Sequence, residues 1–479
     1  MKQKNIGTNA ILNAIKSSLS IVFPILSYPY ILRVLGTAGL GKVSYVLSIV
    51  SYFSLIAMPG IPIYGVREGA KLREKREQLN EFISQVFTIN VISTVLSYVL
   101  LITLVYSFEG LRKYSLLFII ISFNIISQTL AIDWVNTIFE DYKYITLRSI
   151  IVYIFQLILI FILIKDKGDY YIYAILQVLP PIVICATNWF YCRKYVKIRL
   201  VLSDNIKIHL KPLFTLFANT VAISIYVNVG TTMLGAMKGD ESVGLYTAAT
   251  KVYSVIKSML IAVYSVAIPR LSSFVGTENY CAYKKLFTNL WCGVSLLLLP
   301  AGIGLFCMAE EVILLIGGTQ FLAAASALRI LSLALIAAVF GGLLTACLNV
   351  TIGKESINLK ATIISAGINF VLNLICIPLL AQTGTALSIL IAELFVTIYC
   401  FMKTDNRQQY FDSKAIILNI WQAGIAISLM VVYIALIKHF IAAFVLRTII
   451  SICGSVLIYG LVLVLLGNSY LKNILRRGH

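Results

Sequence analysis

Residues 82–107 read FISQVFTINVISTVLSYVLLITLVYS, a run of 26 residues without a charged side chain. About 20 helical residues cross a hydrocarbon core of roughly 30 Å, so this stretch is long enough to span a membrane as one helix. Similar apolar blocks recur along the chain and are separated by short polar breaks. The blocks are too long for the strands of a membrane barrel, so the pattern predicts transmembrane helices.

The whole set of apolar blocks predicts an all-α, polytopic membrane protein with about fourteen spans. The predicted spans lie near residues 9–32, 43–66, 82–107, 114–138, 146–164, 170–191, 212–237, 243–267, 287–307, 323–350, 360–380, 383–402, 416–437 and 445–466. Residues 312–322 fit either a short interfacial helix or the start of the tenth span. Pro59 and Pro62 predict a bend or break at one end of the second span. The first span has no cleavage site, so we expect it to be retained.

Charge patterning predicts the orientation. Lysines and arginines are concentrated in the loops on one predicted side, as in Arg67, Lys71, Arg73, Lys75 and Arg76. Lys143 and Arg148 are counted on the same side. The positive-inside rule then places both termini in the cytoplasm, with an even number of spans. The formal net charge of +19 is spread over these membrane-proximal loops. We therefore expect anionic lipid headgroups as partners and no binding of nucleic acid.

Several classes of protein are disfavoured by what the sequence lacks. The largest segment between spans, about residues 192–211, is too short for a catalytic or nucleotide-binding domain. There is no Walker loop, G-x-S-x-G or HExxH motif. The nine cysteines form no CxxC pair and the three histidines are isolated in sequence, so we expect no metal site and no cofactor. The classes that remain are a channel, a secondary transporter and a flippase. We therefore expect that the protein is not an enzyme.

Cationic and polar residues fall inside the predicted spans. Lys16 lies in the first span, and Lys251 and Lys257 lie in the eighth. A lysine facing lipid at that depth costs at least about 2.5 kcal/mol, so we expect these three to line an aqueous cavity that binds an anionic group. The expected lining residues are Asn9, Asn13, Ser20, Ser48, Thr250, Ser254, Asn369 and Asn373. The alternative is that such residues form hydrogen bonds between helices, or that the cations extend to the membrane surface.

Two carboxylates also lie within predicted spans. Asp133 is in the fourth span and Glu393 is in the twelfth. Each could relay a proton or bind a coupling cation, and pairing with a neighbouring lysine is an equal alternative.

Several motifs resemble the polysaccharide transporters, the Wzx-type O-antigen and capsule flippases. They are Pro29-Tyr-Ile-Leu-Arg-Val-Leu-Gly36, Gly39-Leu-Gly41, Pro59-Gly-Ile-Pro-Ile-Tyr-Gly-Val-Arg-Glu68, Met233-Leu-Gly235, Val243-Gly-Leu-Tyr-Thr-Ala-Ala249, Ile268-Pro-Arg-Leu-Ser272, Phe321–Ala324 and Ala327-Leu-Arg-Ile-Leu331. Their order and spacing run from the first predicted helix to the twelfth. A Leu-Gly pair after the first helix, Leu35-Gly36, recurs after the seventh as Leu234-Gly235, which predicts a second turn there.

The resemblance implies membership of the multidrug, oligosaccharidyl-lipid and polysaccharide exporter superfamily. It implies an N-terminal lobe of six spans and a basic cytoplasmic loop (1–211), a C-terminal lobe of six spans (212–402) and two appended spans with a cytoplasmic tail (403–479). Such proteins move undecaprenyl-diphosphate-linked oligosaccharides across the bacterial cytoplasmic membrane, for O-antigen, capsule or exopolysaccharide. Partners would be this lipid-linked oligosaccharide and the polysaccharide polymerase and chain-length machinery.

Two other functions stay open at this point. A drug or cation antiporter of the same superfamily would need a dominant acidic site, whereas here the cations outnumber Asp133 and Glu393. A membrane glycosyltransferase or glycan polymerase would need a long outward loop, which the sequence lacks.

Overall fold

The computed structural model describes residues 6–201, 206–404, 407–468 and 470–471, with side chains from residue 22 onward apart from residues 219, 222, 223 and 407. Within these ranges the chain is helical, with no strand. The helices are α1 (Ile6–Ala57), α2 (Ile61–Lys71), α3 (Arg76–Ser107), α4 (Glu109–Arg112), α5 (Ser115–Ala131), α6 (Asp133–Ile138), α7 (Tyr142–Leu163), α8 (Tyr170–Cys192), α9 (Ile206–Lys238), α10 (Asp240–Ser265), α11 (Ile268–Gly276), α12 (Tyr280–Cys307), α13 (Ala309–Gly317), α14 (Ala324–Gly342), α15 (Glu355–Lys403), α16 (Arg407–Tyr410), α17 (Ser413–Phe440) and α18 (Phe444–Leu465).

Eleven helical segments in the described part of the chain are long and apolar enough to cross a membrane. Two helices, α1 with 52 residues and α15 with 49, are long enough to cross twice. Each contains one residue with non-helical backbone, Gly36 (φ 69°) in α1 and Ala381 (φ 46°) in α15. The all-α polytopic fold is thus confirmed. The uncertain stretch 312–322 belongs to the short helix α13 and the turn that follows it.

The sequence signals for helix breaks have mixed outcomes. The prediction at Pro59 and Pro62 is confirmed, because α1 ends at Ala57 and α2 begins at Ile61. The prediction of a turn at Leu234-Gly235 is wrong, because α9 continues to Lys238 and the chain turns at Gly239 (φ 80°). Gly235 serves close packing instead, since a Cβ there would lie 2.1 Å from the ring of Tyr45.

The chain forms two compact units, residues 1–247 and 248–479. The lobe boundary inferred from the resemblance, at 211/212, stays a prediction. In the first unit, the start of α9 is tied to α2 and α3 through His209. The Tyr64 hydroxyl lies 2.7 Å from its Nδ1, and Gln85 Oε1 lies 2.8 Å from its Nε2. Burial lowers the pKa of His209, which precedes the predicted seventh span.

Two glycines bring the backbones of α1 and α10 into direct contact in the first unit. A Cβ on Gly41 would lie 1.8 Å from the Asp240 carbonyl oxygen, and one on Gly244 would lie 2.0 Å from the Thr37 carbonyl oxygen. The Tyr114 hydroxyl also donates to the Asp240 carboxylate. We call the contact of Thr37 and Gly41 with Asp240 and Gly244 the α1–α10 joint. It brings together the Gly39-Leu-Gly41 and Val243-Gly-Leu motifs of the sequence.

In the second unit, a buried carboxylate fastens the last two long helices. Glu311 of α13 is 3% exposed and lies 2.9 Å from Nζ of Lys438 in α17 and 3.6 Å from the guanidinium of Arg447 in α18. Lys438 also donates to the Cys307 carbonyl at 2.7 Å. The outer faces of these helices carry exposed side chains such as Trp421, as expected of surfaces in contact with lipid.

Candidate functional site

A strip of polar side chains runs along α10 within the second unit. Lys251, Ser254, Ser258 and Ser265 are spaced by 3, 4 and 7 residues, which places them within about 60° on the helix. The three serine side chains are exposed and the Lys251 side chain is partly buried. The serine hydroxyls donate to backbone carbonyls of α10 itself, so the ammonium group is the part of this face that is costly against lipid. We call this face the α10 polar strip, and its composition indicates a watery surrounding.

Lys257 lies at the edge of the α10 polar strip and is paired with a buried carboxylate. Its Nζ lies 2.8 Å from Oε1 of Glu393 in α15 and 3.1 Å from the hydroxyl of Tyr253. The Lys257 side chain is 27% exposed and the Glu393 side chain is 9% exposed. This pair matches the alternative that the sequence left open for Glu393, which was pairing with a lysine.

Glu393 belongs to a stretch of α15 that is hydrogen-bonded to α14. The Thr397 hydroxyl donates to the Glu393 carbonyl at 2.9 Å and to the Ala337 carbonyl of α14 at 2.7 Å. The Tyr253 hydroxyl lies 3.3 Å from Glu393 Oε1. These contacts place the carboxylate on a rigid element, while Lys257 reaches it through a flexible side chain.

The other carboxylate, Asp133, has an arginine partner in the first unit. Nη2 of Arg148 lies 2.9 Å from Asp133 Oδ1 and 3.1 Å from Oδ2. Arg148 is 7% exposed, and its Nε and Nη1 have no hydrogen-bond partner. Asp133 directly follows Ile132, whose φ of 39° is unusual for a β-branched residue. The sequence analysis counted Arg148 among the loop cations and missed this pair.

Three of the expected lining residues are buried within the helix packing. Asn369 and Asn373 are 1% and 0% exposed, and Asn373 Nδ2 donates to Asn369 Oδ1 at 2.9 Å. Asn369 Nδ2 and Asn373 Oδ1 have no partner. Ser48 is 4% exposed and joins α1 to α9 through a 2.9 Å hydrogen bond with Thr232. In this structure the three residues are buried, and Ser48 joins two helices.

The remaining expected residues divide into two groups. Thr250 and Ser254 lie on α10 beside the two lysines, and the Ser254 hydroxyl donates to the Lys251 carbonyl at 2.9 Å. The side chains of Lys16, Asn9, Asn13 and Ser20 lie outside the described residues, although their backbone belongs to α1. No cluster of three or more His, Cys, Asp or Glu residues suited to a metal occurs in the described part of the chain.

A family model described as "Polysaccharide biosynthesis protein" matches residues 6–275, more than half of the chain. The chain belongs to the polysaccharide biosynthesis protein family. This membership confirms the resemblance seen in the sequence motifs, most of which fall within the matched range.

A curated relative and two solved structures extend the comparison. A curated relative from Escherichia coli (strain K12), named "Putative O-antigen transporter", is 23% identical over 275 residues. The match covers 55% of this chain and 64% of that protein, so it spans less than two thirds of the relative's length.

Two solved structures share the fold of this polysaccharide biosynthesis protein. The lipid II flippase MurJ in an inward closed conformation superposes with a TM-score of 0.76 at 15% identity, covering 98% of this chain and 99% of that one. An inward-facing multidrug resistance MATE family transporter of the MOP superfamily has a TM-score of 0.59 at 17% identity, covering 82% and 96%. At these identities the two superpositions show a shared fold.

Proposed function

We propose that this protein is a flippase that moves undecaprenyl-diphosphate-linked oligosaccharide from the inner to the outer leaflet of the bacterial cytoplasmic membrane. The observation that carries the proposal is the α10 polar strip, which includes Lys251, with Lys257 at its edge. Membership of the polysaccharide biosynthesis protein family and the fold shared with a lipid II flippase support it. The product would serve O-antigen, capsule or exopolysaccharide synthesis, alongside the polymerase and chain-length machinery.

The chemistry of the strip suits the two parts of such a headgroup. The ammonium groups of Lys251 and Lys257, together with Lys16, would bind the diphosphate. Hydroxyls such as those of Ser254 and Ser258 would exchange hydrogen bonds with sugar hydroxyls, while the polyprenyl chain stays in lipid. An inside-negative membrane potential favours outward movement of an anion by about 2.3 kcal/mol per charge per 100 mV.

Transport would proceed by alternating access, with the two lobes 1–211 and 212–402 rocking and residues 403–479 appended. In the orientation proposed from the loop charges, with both termini cytoplasmic, the α1–α10 joint lies towards the outer side. We propose that the joint separates when the passage opens outward. Asn9, Asn13 and Ser20, on the same helix as Lys16, would line the passage.

A drug or cation antiporter is the second candidate, because a multidrug transporter shares the fold. Such a protein would bind its substrate or coupling ion at Asp133 or Glu393. Both carboxylates are paired with cations in this structure, Asp133 with Arg148 and Glu393 with Lys257. This pairing leaves neither carboxylate as the dominant acidic site that an antiporter would need, and Lys251 adds a further cation on α10.

The proposal is tested with the double variant Lys16→Ala/Lys257→Ala and the control Lys285→Ala, which alters an exposed lysine near the start of α12. We expect the double variant to abolish translocation of a fluorescent undecaprenyl-diphosphate oligosaccharide in proteoliposomes, and the control to retain it. Wild-type translocation by the double variant would exclude the charge role. Drug efflux by the wild-type protein without lipid translocation would favour the antiporter.

A further inference from the structure

The charge of Lys257 is neutralised by a carboxylate of the protein itself. Its Nζ contacts Glu393 Oε1 at 2.8 Å, and the Tyr253 hydroxyl lies within hydrogen-bonding distance of both groups. An incoming anion can bind Lys257 at full strength only by replacing the Glu393 carboxylate. The pair is therefore an anion site that is occupied by a side chain of the protein itself.

The two partners differ in their freedom to move. Lys257 has 27% of its side chain exposed and a four-methylene arm, whereas Glu393 is 9% exposed and belongs to a helix held to α14 through Thr397. Exchange therefore means that the ammonium group turns towards the ligand and leaves the carboxylate behind. A ligand must offset the loss of a short ion pair at a poorly hydrated position.

This requirement discriminates between anions by charge. A bacterial membrane contains abundant phospholipids with a single negative charge, and an unpaired lysine facing a lipid-accessible passage would attract them. When a monoanion replaces the Glu393 carboxylate at Lys257, one negative charge is exchanged for another and little binding free energy is gained. A diphosphate carries more than one negative charge and attracts the ammonium group more strongly than the carboxylate does.

We propose that Glu393 is a specificity-determining residue, which excludes monoanionic phospholipids from Lys257 and admits a diphosphate headgroup. The inference rests on the proposed flippase function and adds a selection step to it. Tyr253 assists by contacting both charged groups, so that the resting pair re-forms after the ligand leaves.

The test compares two lipid probes on the full chain in phosphatidylcholine nanodiscs. Undecaprenyl diphosphate and phosphatidylglycerol are titrated separately, and the discrimination ratio is Kd for phosphatidylglycerol divided by Kd for undecaprenyl diphosphate. We expect Glu393→Gln to bind phosphatidylglycerol more tightly and to lower this ratio by about tenfold, the effect of one modest charge interaction. The matched control Glu310→Gln, at an exposed carboxylate paired with Arg329, should keep the wild-type ratio.

Other outcomes separate the two proposals. If the discrimination ratio of Glu393→Gln equals that of the wild type, the selection role is overturned and the flippase function is left intact. The same conclusion follows if Glu393→Gln binds both lipids more weakly, which is the result expected of Lys257→Gln. A wild-type protein that binds undecaprenyl diphosphate no better than neutral undecaprenol would overturn the flippase function itself. If Glu393→Gln is poorly folded, Glu393→Asp is measured instead. The shorter aspartate side chain weakens the contact with Lys257 Nζ, so the discrimination ratio should fall by an intermediate amount.

Discussion

Replacing Gly41 or Gly244 by alanine should destabilise the protein through a backbone clash at the α1–α10 joint. The added Cβ would lie 1.8 Å from the Asp240 carbonyl oxygen or 2.0 Å from the Thr37 carbonyl oxygen. An ordinary contact needs about 3.4 Å, so the two helices must separate by more than about 1 Å, since a backbone carbonyl cannot rotate away as a side chain can. Overpacking of this kind costs typically 1–3 kcal/mol, and we expect about 3 kcal/mol here.

The gain in helix propensity from glycine to alanine, about 1 kcal/mol, opposes this cost but does not cancel it. For a unit of 247 residues, the net loss of about 2 kcal/mol lowers the melting temperature by roughly 4–8 °C. The two substitutions act on one crossing, so the double variant should lose less than twice as much.

The assay is thermal unfolding of the purified protein followed by intrinsic fluorescence. Gly367→Ala is the matched control, because that glycine is also inside a helix but has no atom within 4 Å of its Cβ position. The control should melt at or slightly above the wild-type temperature. If Gly41→Ala and Gly244→Ala melt at the same temperature as Gly367→Ala, α1 and α10 do not approach each other as closely as the structure indicates.

Three further predictions concern charged and titratable groups. Lys257→Met should cost about 3 kcal/mol, because it leaves a carboxylate of 9% exposure unpaired, and Lys257→Met/Glu393→Gln should recover most of that loss in chemical denaturation. Glu311→Gln should loosen α17 and α18, which hydrogen exchange in residues 413–465 would detect as faster exchange than in wild type. The lowered pKa of His209 means that the unfolded state binds more protons, so the melting temperature should fall as pH drops below about 6.5. His209→Gln should flatten that pH dependence, and an equally steep profile would show that another group is responsible.

The fold was largely predictable because the backbone N–H and C=O groups of each span must form their hydrogen bonds within that span. Length, apolar content and proline position are local properties, and they correctly predicted the helical segments and the break after Ala57. The predicted spans 212–237 and 243–267 leave the turn at Gly239 between them, but Leu234-Gly235 was mistaken for a turn because glycine has two uses. In Gly235 the missing side chain makes room for Tyr45, and that requirement is visible only once the helices are packed.

The sequence could not show which charged residues pair with each other. Glu393 and Lys257 are separated by 136 positions, and helical periodicity says which face a residue lies on but not which helix faces it. Arg148 lies seven positions into α7, close enough to the helix start to be grouped with loop cations. Its partner Asp133 follows the break at Ile132, so the polar residues assigned to one continuous fourth span belong to two helices, α5 and α6.

The junctions at Gly36 and Ala381 are each made by a single residue, so two pairs of consecutive crossings have almost no connecting segment. Little chain is therefore available there to proteases, antibodies or inserted reporter tags. Epitopes for mapping topology should be placed instead between α11 and α12, where residues 277–279 are exposed.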